Sequence, residues 1–208
     1  MIPIMIKTFS SRAGRLSPTN KDFLNIESEC LLKLGQQPET SKPIVIDIGF
    51  GDAQSFSKDV IANNGFCFIG IEPYKKGFAR AIEFYECNKP DNLYLHNGDA
   101  REYLESISFE FSFVRIHFPD PWPKKRHVKR RLINHEFLKF IHTKIAPKGK
   151  LEIITDSEVY QNHIKEILDK QSLFEAIDEF EITYEISTFH KKGLDKKHAI
   201  ERYVLLKN

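Results

Sequence analysis

The stretch Pro43-Ile44-Val45-Ile46-Asp47-Ile48-Gly49-Phe50-Gly51 reads as a buried strand that runs into a tight glycine turn. Ile44, Val45, Ile46 and Ile48 are β-branched and apolar, which suits a strand covered on both faces. Gly49 and Gly51 let the backbone turn sharply and approach a ligand with no Cβ in the way. A helical pattern follows over 54–64 and stops at Asn64-Gly65. Strand, glycine turn and helix in that order open a parallel α/β sheet.

Outward from this unit the alternation continues. Strands are expected over 67–71, 93–96, 113–118 and 151–155. Helices are expected over 76–88, 132–145 and 157–170, with a short helical turn over 101–106. Upstream, Ser17-Pro18 looks like an N-cap and first-turn proline, opening a helix that ends near Gly35. Pro147-Lys148-Gly149 is expected to turn the chain. The end changes character: 180–187 and 202–206 both read as strands, with no helix between them, paired antiparallel across 189–199. The expected fold is therefore α/β, a doubly wound and mostly parallel sheet with an antiparallel C-terminal strand pair.

The 208 residues fit one domain, 1–208, in which 1–17 form a basic N-terminal arm. An apolar fraction of 41% is ample for a core. The three cysteines are odd in number and lack CxxC spacing, which disfavours a disulfide framework or a cysteine-based zinc site. His127 and His142 have no second ligand at zinc-like spacing, so no metal is expected. Residues 1–7 are too few for a signal-peptide core, and no run approaches the ~20 apolar residues of a membrane span. These features read as a reduced, soluble, cytoplasmic protein with no membrane partner.

Asp47 and Glu72 fall at the ends of the first two strands, beside the glycine turn. The dinucleotide fingerprint wants a further glycine where Gln54 stands, and no GxxxxGK[ST] is present. S-adenosylmethionine (SAM) has no phosphate and needs neither. Asp47 suits its α-amino group, Glu72 its ribose hydroxyls, and Asn97-Gly98-Asp99-Ala100 places polar groups where an adenine edge would sit. The plainer alternative is a glycine turn flanked by two solvated acids.

After the fourth strand comes Phe118-Pro119-Asp120-Pro121-Trp122-Pro123-Lys124-Lys125-Arg126-His127-Val128-Lys129-Arg130-Arg131. Three alternate prolines restrict Asp120 and Trp122, as suits a carboxylate that must be aimed. Six of the eight positions 124–131 are Lys or Arg, a pattern that fits phosphate contacts. Trp122 offers a stacking face for a splayed-out base. Taken singly, Asp120 could cap a turn, Trp122 fill the core, and the basic run form a solvated helix face. Their conjunction at a strand end beside a cofactor-type turn favours a nucleic-acid site.

This segment resembles the bacterial tRNA (guanine-N7)-methyltransferases, whose hallmark is FPDPW followed by K, RH and KRR. The resemblance extends over most of the chain, from Ile6-Lys7-Thr8-Phe9, Arg12 and Gly14-Arg15-Leu16 to Thr155-Asp156. It implies a seven-stranded sheet of the class I SAM-methyltransferase type and methyl transfer from SAM to N7 of a guanine in tRNA, at position 46 of the variable loop. Asp47, Gly49, Gly51, Glu72, Asp99, Ala100 and Asp120 fall on its cofactor positions, with Asp120 at the cofactor–substrate junction. Lys124, Asp156, Ser187 and His190 fall on the substrate side, and Arg126, Lys129, Arg130, Arg131, Arg12 and Arg15 on tRNA contacts. The chain departs from the family in four places. Asp47 stands for Glu, Ala53 for the third glycine of the turn, His190 for an acid, and Glu201 for Asp. Two alternatives follow: a methyltransferase with another substrate, or an RNA-binding relative weakened in catalysis.

Overall fold

The computed structural model describes residues 6–9, 14–196 and 198–208. Seven strands form one sheet: β1 (Ile44–Ile48), β2 (Cys67–Ile71), β3 (Leu93–His96), β4 (Phe111–His117), β5 (Ile145–Thr155), β6 (Phe174–Ile177) and β7 (Glu201–Lys207). Their spatial order is β3-β2-β1-β4-β5-β7-β6. The first five strands are parallel, while β7 pairs antiparallel with both β5 and β6. Because β1 lies between β2 and β4, the strand order reverses there. A crevice opens at that point beyond the carboxyl ends, where open α/β sheets bind ligands.

Helices cover both faces, which is why the strands read as almost continuous apolar runs. On one face α1 (Pro18–Leu24), α2 (Gln54–Ala62) and α3 (Lys75–Asn88) bury Phe56, Val60, Phe78 and Ile82 against the sheet. On the other, α4 (Ala100–Ser106), α5 (His135–Lys144) and α6 (Glu158–Leu168) bury Tyr103, Phe137, Ile141 and Ile164. Side chains close several helix ends: Asn134 accepts from Phe137 N–H, and Asp99 from Arg101 N–H.

Four expectations are corrected. The first helix ends at Leu24 instead of near Gly35, because the following chain folds onto the sheet edge. There Leu32 N–H donates to Leu95 O and Leu95 N–H to Cys30 O, which blunts the edge strand β3. The turn expected at 147–149 lies inside β5, as an irregularity with Lys148 at φ +62° and a register shift opposite Phe111 and Phe113. The strand expected over 180–187 is absent. Besides β5, the strand that pairs with β7 is residues 174–177, and 180–186 run over the α2 face, tied by Thr183 to Asn63 and by Glu185 N–H to Asp59. A helix also stands where none was expected, α7 (Thr188–Asp195), capped by Ser187 Oγ accepting from His190 N–H.

Candidate active site

The turn after β1 has three consecutive left-handed alternations, Gly49 at φ +77°, Gly51 at φ +72° and Ala53 at φ +66°. The first two cost nothing without a Cβ; Ala53 accepts a strain of roughly 1 kcal/mol to hold the conformation a glycine would supply. The departure from the third glycine therefore changes strain and leaves the course of the loop intact. A Cβ on Gly49 would meet no atom within 4 Å, so this backbone borders open space. A Cβ on Gly77 would lie 1.6 Å from Gly51 O. Only a glycine lets the first turn of α3 support the loop from behind.

Glu72, at the end of β2, is buried; Gly51 N–H donates to its Oε2 at 2.7 Å and Tyr74 N–H to its Oε1 at 2.8 Å. Burial pushes its pKa up to about 7, against the lowering effect of those two amides, with Asp47 and Asp120 adding repulsion. Asp99 caps α4 and is held by the Arg101 guanidinium at 2.8 Å. Gly49, Gly51, Glu72, Asp99, Ala100 and Asp120 all line one cleft, with about 830 Å³ of space between its walls, open solvent at its mouth included. Ile71, Ile116 and Leu132 add apolar surface, and Thr8 and Phe9 of the N-terminal segment form part of the rim. Such a mix of apolar wall and few polar groups is typical of small-molecule sites.

Asp47 lies apart from that cleft. Its carboxylate faces β4, where Arg115 Nε donates to it at 2.9 Å and Nη2 also engages it; Nη2 donates in addition to Asp59 at 2.8 Å. All three side chains are buried, and burial raises the Asp59 pKa despite the guanidinium. Asp47 instead borders a second, smaller cavity on the other side of the glycine turn.

The proline-rich loop is aimed by strain as well as by proline. Phe118 and Trp122 both have positive φ, +52° and +42°, each at a cost of about 1–3 kcal/mol for a bulky residue. Asp120 reaches solvent between them at the cleft wall. Trp122 is tied down: its indole N–H donates to Thr8 O at 2.7 Å, and Arg130 stacks over its ring at 4.8 Å. The face expected for base stacking is thus shared with Arg130. The basic run forms a 3-10 helix, Lys125–Arg130, with Lys124, Arg126 and Lys129 exposed. Arg131 is a correction to the expected RNA-facing set. It is buried, donates to Pro121 O at 3.0 Å, and sits over the Tyr160 ring, so it clamps the loop from inside.

Asp156 Oδ2 lies within hydrogen-bond distance of His198 Nδ1, at 3.1 Å, beside α7. Ser187 caps that helix, and His190 meets Tyr184 Oη at 3.1 Å and the Phe118 ring edge-on at 5.5 Å. The substrate-side residues therefore lie next to the proline-rich loop. Arg15 is exposed; Arg12 lies outside the described residues.

Sequence reading missed Gly77, Arg115 and the pair His117–Glu152. His117, at the end of β4, borders both cavities and bonds Glu152 through Nε2 at 2.7 Å; Arg202 Nε donates to the other oxygen at 2.7 Å. Burial opposes charge on Glu152, but His117 and Arg202 outweigh it and hold the carboxyl below its usual range. A signal existed: Arg115 and Glu152 are charges inside otherwise apolar strands, which are retained where they have partners.

A family described as “Putative methyltransferase” matches residues 41–202. Among named relatives, the tRNA (guanine-N(7)-)-methyltransferase of Wolbachia pipientis wMel is 34% identical, over 91% of this chain and 87% of that one. The enzyme of the same name from Nitrosococcus oceani is 32% identical over 95% and 89%. Among solved structures, an rRNA methylase from Streptococcus thermophilus superposes with TM-score 0.55 at 12% identity, covering 80% of this chain and 87% of that one. A Haemonchus contortus phosphoethanolamine N-methyltransferase 2, in complex with S-adenosyl-L-methionine, gives 0.51 at 16%, covering 82% and 50%. The structural likenesses carry the class I methyltransferase fold alone. The sequence likenesses carry more, and by them this chain belongs to the tRNA (guanine-N7)-methyltransferase family.

Proposed function

We infer that the protein transfers a methyl group from SAM to N7 of a guanine in tRNA, and that the observation carrying this reading is the convergence of the glycine turn, Glu72 and Asp120 on one cleft. The residues fit the cofactor. A buried carboxylate at the end of β2 suits two ribose hydroxyls, apolar walls at Ile71 and Leu132 suit an adenine, and several acids suit a cation. When bound, SAM supplies an electrophilic methyl group on a sulfonium.

Guanine N7 has a lone pair and no proton, so the protein needs no general base. Its task is to orient the base and to steady the positive charge that develops on it. Asp120, on a loop fixed by three prolines and two strained residues, serves both ends of that task. Asp156 suits the N1–H and 2-amino donors that guanine alone among the standard bases presents together. Lys124, Lys125, Arg126 and Lys129 form the exposed cationic surface for phosphates, with Arg130 behind Trp122. We assign Ser187 to shaping this end through α7, and His190 to the place of the family's acid, on the wall between Tyr184 and Phe118. The variable-loop guanine at position 46 is the expected target.

The test is incubation with unmodified tRNA and methyl-labelled SAM, followed by nucleoside analysis. Label in 7-methylguanosine is expected. Label in another nucleoside overturns the assignment, and a tRNA lacking the variable-loop guanine separates that position from other guanines.

A further inference from the structure

Asp59 and Asn63 are buried polar residues in the last turn and at the C-cap of α2. Spaced i, i+4, they share one face of the helix, and both meet residues 180–186, the segment that leads into α7. Asn63 Oδ1 accepts from Thr183 N–H at 3.1 Å and from its Oγ1 at 3.2 Å, while Asn63 Nδ2 donates back to Thr183 O at 2.9 Å. One turn earlier, Asp59 Oδ1 accepts from Glu185 N–H at 2.6 Å. Four residues of helix rise about 6 Å and two residues of extended chain span about 6.6 Å, so the two spacings match. Carried one step further, the same spacing places Ser187 opposite Ser55, and both border the second cavity.

Both anchors are themselves fixed, Asp59 Oδ2 by Arg115 at 2.8 Å and Asn63 Nδ2 by Asp59 O at 2.7 Å. Apolar side chains in their place would let the segment slide along the helix, whereas directional bonds to main-chain atoms at 183 and 185 admit one register. That register decides what the segment delivers. Tyr184, between the anchored residues, packs its ring on His117 with centroids 5.0 Å apart and brings its Oη to 3.1 Å from His190 Nδ1. Ser187 then caps α7, and α7 lies against Asp156, since a Cβ on Gly193 would be 3.2 Å from the Asp156 side chain. His198, whose N–H donates to Gly193 O at 3.0 Å, lies 3.1 Å from Asp156 Oδ2 through Nδ1. We propose that Asp59 and Asn63 are positioning residues for base recognition, which hold α7, and through it Asp156, in place against the guanine. The inference rests on the assignment of Asp156 to the N1–H and 2-amino donors and extends it to two residues the sequence motifs leave out.

Inosine lacks only the 2-amino group of guanosine, so a tRNA with inosine at the methylated position isolates that recognition. The wild type should methylate the guanosine tRNA with kcat/KM about tenfold or more above the inosine tRNA. Asn63→Ala removes the three hydrogen bonds to Thr183 and changes no charge. It should lower kcat/KM on the guanosine tRNA about tenfold and shrink the preference to about threefold or less. Affinity for S-adenosylhomocysteine, by isothermal titration, should stay within about twofold of wild type. A role in stability alone lowers the active fraction and both rates alike, so an unchanged preference overturns the proposal. Weakened S-adenosylhomocysteine binding with the preference intact also overturns it and assigns the anchors to the glycine turn. If Asn63→Ala does not fold, Glu185→Pro takes its place, since it deletes the one main-chain N–H that Asp59 receives at an exposed residue, and the same results decide. Equal wild-type rates on the two tRNAs remove Asp156 from recognition and this positioning role with it; methylation of neither fails the reading of function itself.

Discussion

Glu72 holds both carboxylate oxygens against backbone amides at the floor of the cleft, and burial lifts its pKa from 4.5 to about 7. An acid whose folded pKa lies above its unfolded value disfavours the fold as pH rises through that interval, and its cost is complete above about pH 7. Ribose hydroxyls donating to the ionised form would pull the pKa back down. Cofactor binding should then release a proton, and affinity for S-adenosylhomocysteine should rise about tenfold from pH 6 to pH 8. Titration calorimetry in two buffers of different ionisation enthalpy measures both quantities; a flat profile removes Glu72 from the ligand set. Asp120 is exposed, so its loss costs little stability. Asp120→Ala should lower kcat by about 100-fold or more with the Tm nearly unchanged, and near-wild-type turnover would remove it from the reacting centre.

The same sort of division runs through the elements. In the 3-10 helix Lys125–Arg130 and its flanks, the charges point two ways: Lys124, Lys125, Arg126 and Lys129 outward, Arg131 inward. Replacing Lys124, Arg126 and Lys129 by Ala should reduce the slope of log affinity for tRNA against log salt by about 2–3 and spare cofactor affinity. Arg131→Ala should instead unsettle the loop and lower the Tm, since it removes the clamp on Pro121 O. Equal effects of both changes on cofactor binding would mean that the whole run is structural. At α3 the constraint is steric. Gly77→Ala drives a methyl into Gly51 O, and because both partners are backbone the loop must shift. A loss of about 1–3 kcal/mol in stability is expected, together with weaker cofactor binding, read by thermal unfolding with and without S-adenosylhomocysteine. Unchanged values would show that the two backbones are free to separate.

At the scale of the whole molecule, the parallel half of the sheet was legible because its strands are buried on both faces and punctuated by glycine or proline, as at Ile44–Ile48 and Phe111–His117. The C-terminal end was not, because residues 180–186 have strand composition but spend hydrogen bonds on side chains of α2 and its C-cap, Asp59 and Asn63. Composition cannot say which partner an extended segment finds. The motif residues of the cleft were legible as types at strand ends, whereas Arg115, Glu152 and Gly77 acquire meaning only once β1, β4, β5 and α3 are neighbours. The N-terminal segment shows the same dependence on long-range contact. Ile6 O accepts from Arg101, Thr8 O from Trp122, and Phe9 meets the Tyr74 ring edge-on, so residues 6–9 bridge the cofactor cleft and the proline-rich loop. These contacts are few and lie at the rim, too little to matter for the core but enough to close one wall of the site. Removing residues 1–9 should therefore leave the Tm within a few degrees of wild type while weakening S-adenosylhomocysteine binding about tenfold, a loss of about 1.4 kcal/mol. Calorimetry on the shortened chain checks this, and full affinity without the segment would show that the cleft is complete without its rim.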